Sequence, residues 1–193
     1  YLPIGISSDV PKKPISIAVS LIDKVDMLVG FFGINEKPTS SKDPFALRRA
    51  AIGLLRTIIE NKISIKLKDL INYSIIIYEE QNKKFNNDIV TKEILFFLRE
   101  RFKYYLLDKK IRNDIIEAVD SVNNNNDFLI FYKKCFIVNK YISKDLCKNI
   151  IVSYKRASNI INHELVNNKI SIIGQPESFL FKKDEEKELY NKI

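Results

Sequence analysis

Six residues in the second half of the chain have the types needed to grip an anionic polymer. Arg101, Tyr104, Tyr105 and Arg112 fall close together, and Lys155 and Arg156 follow further on. Phosphates pair with lysine or arginine, and unstacked bases lie on aromatic rings or guanidinium planes, so this set supplies both kinds of contact. Residue by residue, a plainer role stands beside that one: Tyr105 as a core side chain, the cations as a solvated face. A second set lies nearer the start. Arg48, Arg49 and Arg56 interrupt an apolar helix face. Arg49 and Arg56 are about two turns apart, so they project on the same side. They read either as a solvated basic edge or as arginines that meet a carboxylate or a phosphate. Asp23 and Asp26 interrupt another apolar stretch. A carboxylate there needs a partner. Lys24, Arg48 and Arg49 are candidates, and a metal ion is the functional alternative.

Other chemistries lack their parts. The five glycines, Gly5, Gly30, Gly33, Gly53 and Gly174, are scattered, so no phosphate-cradling loop is assigned. His163 is the one histidine, which leaves no defensible Ser-His-Asp set. Near a helix end it reads as a solvated or dipole-compensating residue. Cys135 and Cys147 lack the paired spacing of a zinc site and read as reduced, apolar helix residues. Glu79-Glu80 and Asp184-Glu185-Glu186 read as solvated faces. No catalytic residue and no metal site is assigned. Lys and Arg number 32 against 24 Asp and Glu, a formal charge of +8, which suits an anionic partner, nucleic acid being the commonest. Many of the lysines sit among Asn and Ile, a bias that base composition also produces. No run reaches the length of a membrane span. The chain starts at Tyr1 rather than Met, and a fragment or a processed product is expected.

The elements that must position these residues are helices. A loop over 1–13, with Pro3, Gly5 and Pro11, leads into a helix from Pro14 to about 32. Its apolar set is Ile15, Ala18, Val19, Ile22, Val25, Met27 and Val29. A second helix is predicted from Asp43 as cap and Pro44 as first residue to about 61, with Phe45, Leu47, Ala51, Leu54, Leu55 and Ile58 on one side. Further helices are expected over 68–82, 89–109, 112–122 and 128–139. Ser143 is expected to cap another, running to about 165, and the last covers 182–193. In the helix over 89–109, Ile94, Leu95, Phe97, Leu98, Phe102, Tyr105 and Leu106 form the core side. Asn86-Asn87-Asp88 and Asp127 are break and cap signals, and the asparagine run 123–126 reads as a turn or flexible loop. The runs 75–78 and 170–173 are β-branched, yet short or flanked by helix. The expectation is an all-α protein with a boundary near 62–67 or 83–88.

Three blocks carry a family resemblance. The first is Asp23-Lys24-Val25-Asp26, then 28–34 (L-V-G-F-F-G-I), Pro38-Thr39, and Ser41-Lys42-Asp43-Pro44-Phe45-Ala46-Leu47-Arg48-Arg49-Ala50. The second is 97–106 (F-L-R-E-R-F-K-Y-Y-L) with Asp108, Arg112, Asp114-Ile115-Ile116 and Ala118-Val119. The third is 154–160 (Y-K-R-A-S-N-I). Together they resemble the beta subunit of the bacterial tetrameric glycyl-tRNA synthetase. Ser40 departs from it, standing where that family has glycine. The resemblance implies two segments. Residues 1–84 are the end of an HD-like helical domain, with Asp23, Asp26, Asp43, Arg48 and Arg49 as structural motif residues. Residues 85–193 are a truncated, anticodon-binding-like (DALR-type) bundle, with Arg101, Tyr104, Arg112, Lys155 and Arg156 toward tRNA. In HD-type phosphohydrolases an aspartate placed like Asp23 is the last metal ligand. The histidines and the His-Asp pair of that set are missing here. Hydrolase activity is not expected. The resemblance further implies tRNA(Gly) and a catalytic alpha subunit as partners in an alpha2beta2 tetramer. ATP and magnesium are implied for the alpha subunit, none for this chain, and the location is cytoplasmic. An interaction module without an RNA role is the alternative.

Overall fold

The computed structural model describes residues 2–3, 8–39, 41–81, 83, 85–122, 127–142, 144–167 and 178–192. Ser40, Ser143, the asparagine run 123–126 and the β-branched run 170–173 lie outside the described residues, as do Gly5, Gly174 and Pro176. The described chain is all-α. Its helices are α1 (Pro14–Gly33), α2 (Leu47–Glu60), α3 (Leu67–Glu80), α4 (Asn87–Asp108), α5 (Asn113–Ser121), α6 (Phe128–Tyr141), α7 (Asp145–Asn167) and α8 (Asp184–Lys192), with a 3-10 turn at Ser178–Leu180. The run 75–78 is helical, inside α3. The chain forms two compact units, Tyr1–Ser143 and Lys144–Ile193.

In the first unit α4 is the shared neighbour, packing on α1, α2, α3 and α5, while α6 lies on α5 and α2. Residues on both sides of position 84 therefore contribute to one core. The α4 stripe of Ile94, Leu98, Phe102, Tyr105 and Leu106 is buried, as the helical spacing predicts. Phe102 packs edge-on against Phe128 and Phe131 of α6, with ring centroids 5.2 and 5.4 Å away. Truncating such a ring to alanine costs about 3–5 kcal/mol.

In α1 the inward stripe is Leu21, Val25, Leu28, Val29 and Phe32. This corrects the expected set, of which Ile15, Val19, Ile22 and Met27 are exposed. The helix carries apolar residues on both sides, so composition alone cannot select a face. In α3, Ile71 and Ile75 are buried, whereas Ile76 is exposed. Close approach of α1 and α2 runs through Gly53, where a Cβ would meet the Lys24 side chain at 2.8 Å and Pro3 at 3.2 Å.

The starts of α4 and α6 follow local polar chemistry. Asn86 accepts from the Ile89 amide, and Asp127 accepts from the Leu129 and Ile130 amides at 2.9 and 3.0 Å. The start of α2 differs from expectation. Pro44 and Phe45 form a turn closed by the Ala46 amide on the Asp43 carbonyl, and Ala46 takes a left-handed conformation (φ 55°). The helix begins only at Leu47. Asp43 still caps it, its two carboxylate oxygens accepting from the Leu47 and Arg48 amides at 2.8 and 3.0 Å. Phe45, outside the helix, stacks on Phe31 at 4.0 Å.

The second unit holds α7, the 3-10 turn and α8. The described side chains of α7 are mostly exposed, Ile150, Tyr154 and Ile160 among them. At the start of α8 the Glu186 carboxylate accepts from the Lys182 and Lys183 amides at 2.7 and 3.0 Å, and the Phe181 and Tyr190 rings meet at 5.3 Å.

Candidate nucleic-acid interface

On α4, Arg101, Tyr104, Tyr105 and Asp108 recur at three- and four-residue steps and share one face. That face meets the first turns of α2, where Arg48, Arg49 and Ile52 lie, across a groove of about 380 Å³. The capping turn at Asp43 sets where α2 begins, and so where Arg48 and Arg49 point. Arg48 donates to the Thr39 carbonyl, which ties the preceding loop to the helix. Arg49 is exposed, and no ion pair is found for it among the described residues. The Arg101 guanidinium lies 4.6 Å from the Tyr104 ring centroid and 5.8 Å from that of Phe97. Its Nε is buried without a hydrogen-bond partner. Tyr104 is 59% exposed, so the ring that Arg101 supports is open to solvent. Tyr105 forms the buried end of the face. Its hydroxyl is pushed up to about 12, mainly by burial and then by the Glu60 carboxylate, so it is neutral at ordinary pH. A second hollow of about 550 Å³ adjoins this one, and Arg48 and Arg101 line both.

Three other cations, Arg99 and Lys103 of α4 and Arg112 just before α5, are engaged otherwise. Arg99 and Lys103 converge on Asp120 of α5 at 3.3 and 3.4 Å, and Lys103 also reaches Glu100 at 3.3 Å. Arg112 makes a two-pronged pair with Asp114, Nε to Oδ1 at 3.0 Å and a terminal nitrogen to Oδ2 at 2.6 Å. This pair holds the Asp114 carboxyl below its usual range. Lys155 and Arg156 lie in the second unit, exposed on α7 beside Tyr154, which is 73% exposed.

Of the expected partners of the early aspartates, Lys24 is met, at Asp23, while Arg48 and Arg49 are not seen paired with either aspartate among the described residues. Asp23 and Asp26 are both exposed. Asp26 accepts weakly from Ser74 at 3.4 Å and is not seen paired with Arg49 among the described residues. Asp23 faces Lys24 at 3.9 Å. The buried charge of α1 is Lys24 itself, whose amine donates to the Leu2 carbonyl and the Ser20 hydroxyl at 3.2 and 3.1 Å. Burial pulls its pKa down, partly opposed by Asp23. Arg56, which spacing places on the side of Arg49, is buried and paired with Glu60 at 2.8 Å. Among the described residues no three His, Cys, Asp or Glu side chains gather where they could hold a metal ion.

The sequence singles out Arg101 and Tyr104 as contacts and assigns Arg48 and Arg49 to the structural motif, a carboxylate or a phosphate being their alternative partners. The groove brings all four together. The available signal was the pair Arg48-Arg49 directly after a helix cap, since the first turn of a helix seldom carries two cations against its own dipole.

The chain matches the family described as "Glycyl-tRNA synthetase beta subunit" over residues 1–121. It is 36% identical to the glycine–tRNA ligase beta subunit of Ruegeria sp. (strain TM1040) over 162 residues, covering 84% of this chain and 22% of that protein. It is 36% identical to that of Rhodospirillum centenum over 174 residues, covering 90% of this chain and 24% of that protein. For Paracoccus denitrificans the identity is 37% over 161 residues, with 83% and 22% covered. The chain thus spans under a quarter of the length of these relatives. With the match extending from α1 through α5, the chain belongs to the glycyl-tRNA synthetase beta subunit family.

Proposed function

We propose that this chain is part of a glycine–tRNA ligase beta subunit that binds and positions tRNA(Gly) while a partner alpha subunit attaches glycine. The observation that carries this reading is the α2–α4 groove, where Arg101 and the open Tyr104 ring offer charge and a stacking surface together. Arg101, Tyr104, Arg112, Lys155 and Arg156 are the proposed contacts. Arg112 contributes least, because Asp114 already compensates its charge. The alpha subunit uses ATP and magnesium in an alpha2beta2 assembly in the cytoplasm, and this chain alone catalyses nothing. The segments 1–84 and 85–193 correspond to the HD-like and anticodon-binding-like portions. No helix among the described residues is long and apolar enough to cross a membrane.

The test is fluorescence anisotropy of labelled glycine tRNA with this chain across a salt series, with a non-cognate tRNA as control. Saturable binding is expected, weakening linearly in log affinity against log salt and favouring the glycine tRNA. Absence of salt-sensitive binding would overturn the reading in favour of a helical interaction module.

A further inference from the structure

We infer that the groove between α2 and α4 is a subsite for one unstacked nucleotide of single-stranded RNA, with its base on Tyr104 and its phosphate between Arg48 and Arg49. This rests on the RNA-binding reading and adds to it a location, a ligand class and two residues. Four observations converge. The groove, at about 380 Å³, falls in the size range of small-ligand sites, roughly 300–1,000 Å³. The Tyr104 ring is braced from one side by Arg101 at 4.6 Å and is 59% exposed, so a base can extend the stack. Arg48, Arg49 and Arg101 gather there with no ion pair to a carboxylate found among the described residues, whereas Arg99, Lys103 and Arg112 all have one. The buried Arg101 Nε has no hydrogen-bond partner, an unmet donor at the edge of the groove.

The groove also carries Asp108, one turn beyond Tyr104 on the same face. A lone carboxylate repels a bare phosphate but accepts from the amino edge of a base. It therefore orients the ligand, base toward Asp108 and phosphate toward α2. The apolar floor at Ile52 suits a base better than a hydrated anion. A duplex keeps its bases stacked and paired and cannot place one against Tyr104.

The experiment compares a labelled single-stranded RNA hexamer and an RNA duplex of equal charge on the full chain, by anisotropy at several salt concentrations. The hexamer is expected to bind more tightly. Tyr104→Ala should weaken it about tenfold, while Tyr104→Phe, which keeps the ring, should stay within about twofold. Arg49→Ala should lower the salt slope by about 0.7, the value for one single-strand phosphate. Circular dichroism reports whether each variant folds, and the exposed Arg49 carries the test should Tyr104→Ala not fold. If the hexamer binds but these variants match the parent, the subsite is wrong and the RNA reading survives. If neither RNA nor glycine tRNA binds, both fail.

Discussion

Helix α4 presents cations to two neighbours, and the two groups are wired differently. Toward α5, Arg99 and Lys103 share Asp120, and Arg112 at the start of α5 is clamped by Asp114. Toward α2, Arg101 meets Arg48 and Arg49, and its planar group rests on aromatic rings rather than on a carboxylate. The first group joins helices. Its charges are compensated, and an incoming phosphate has to compete with a carboxylate already in place. The second gathers three guanidiniums against one carboxylate, Asp108, around a groove, and the excess positive charge raises the local potential and disfavours the empty state. An anion relieves that repulsion. Exposure and charge counts do not separate the groups. The carboxylates do.

The sharpest way to break the comparison is to exchange the wiring. Arg101→Glu puts a carboxylate into the groove that Arg48 and Arg49 line, making it resemble the α5 side. Its affinity for glycine tRNA should fall by about 30-fold or more, about 2 kcal/mol, from one lost phosphate or stacking contact and one added repulsion. The thermal midpoint should hold or rise, since the new carboxylate pairs with its neighbours. A variant that binds tRNA as the parent does would erase the distinction between the two groups.

The converse change is Asp120→Ala. Asp120 is largely buried and anchors two cations, so its loss should destabilise the fold by about 1–3 kcal/mol, read by urea unfolding. Freed of Asp120, Arg99 should also steepen the salt dependence of RNA binding, while Lys103 keeps Glu100 as a partner. Unchanged stability would show that the bridge to α5 does not contribute to packing.

Much of this architecture was legible in the amino-acid pattern, and the exceptions have a common cause. The stripe of α4 and the caps at Asn86 and Asp127 follow from spacing and short polar side chains, both local properties. The inward face of α1 was not legible, because Ile15, Val19 and Ile22 are as apolar as Leu21, Val25 and Leu28, and only the positions of α2, α3 and α4 decide between them. Arg49 and Arg56 share a side of α2, yet one is exposed and the other buried with Glu60. Their difference is position along the helix, with α4 and α6 as neighbours of α2. Arg101 and Tyr104 stood out as a basic and aromatic pair. Arg48 and Arg49 joined them only through the meeting of two helices some fifty residues apart in sequence.

Arg112→Ala sharpens the comparison from the weaker end. The pair with Asp114 is exposed on both sides and links residues two apart, so its removal should leave the thermal midpoint unchanged within error. Glycine tRNA affinity should fall less than for Arg49→Ala, measured at the same salt. An equal or larger loss would mean that RNA readily displaces Asp114, and that pairing is no guide to which cations are available.

The smallest effect probes whether Asp120 is silent once bridged. The Cys135 thiol is buried and pushed up to about 11, first by burial and then by the charge of Asp120. The unfolded chain releases this proton near the ordinary value of 9.0, while the folded chain holds it. Between these two values the unfolded state binds fewer protons, so stability is present below about pH 9 and is lost as pH rises toward 11. From pH 8 to 11 the thermal midpoint of the parent should therefore fall relative to that of Cys135→Ala, since Lys24, whose pKa burial lowers, acts in the opposite sense equally in both. Tyr105, pushed up to about 12, maintains the loss above pH 10, its ordinary value. Asp120→Asn removes the second cause of the thiol shift and leaves burial, so its curve should lie between those of the parent and Cys135→Ala in steepness. If Asp120→Asn and the parent fall with the same slope, Arg99 and Lys103 neutralise the carboxylate so completely that none of its field reaches α6. Pairing would then remove a charge from its surroundings altogether, and the guanidiniums of the α2–α4 groove, for which no ion pair is found among the described residues, would stand out all the more.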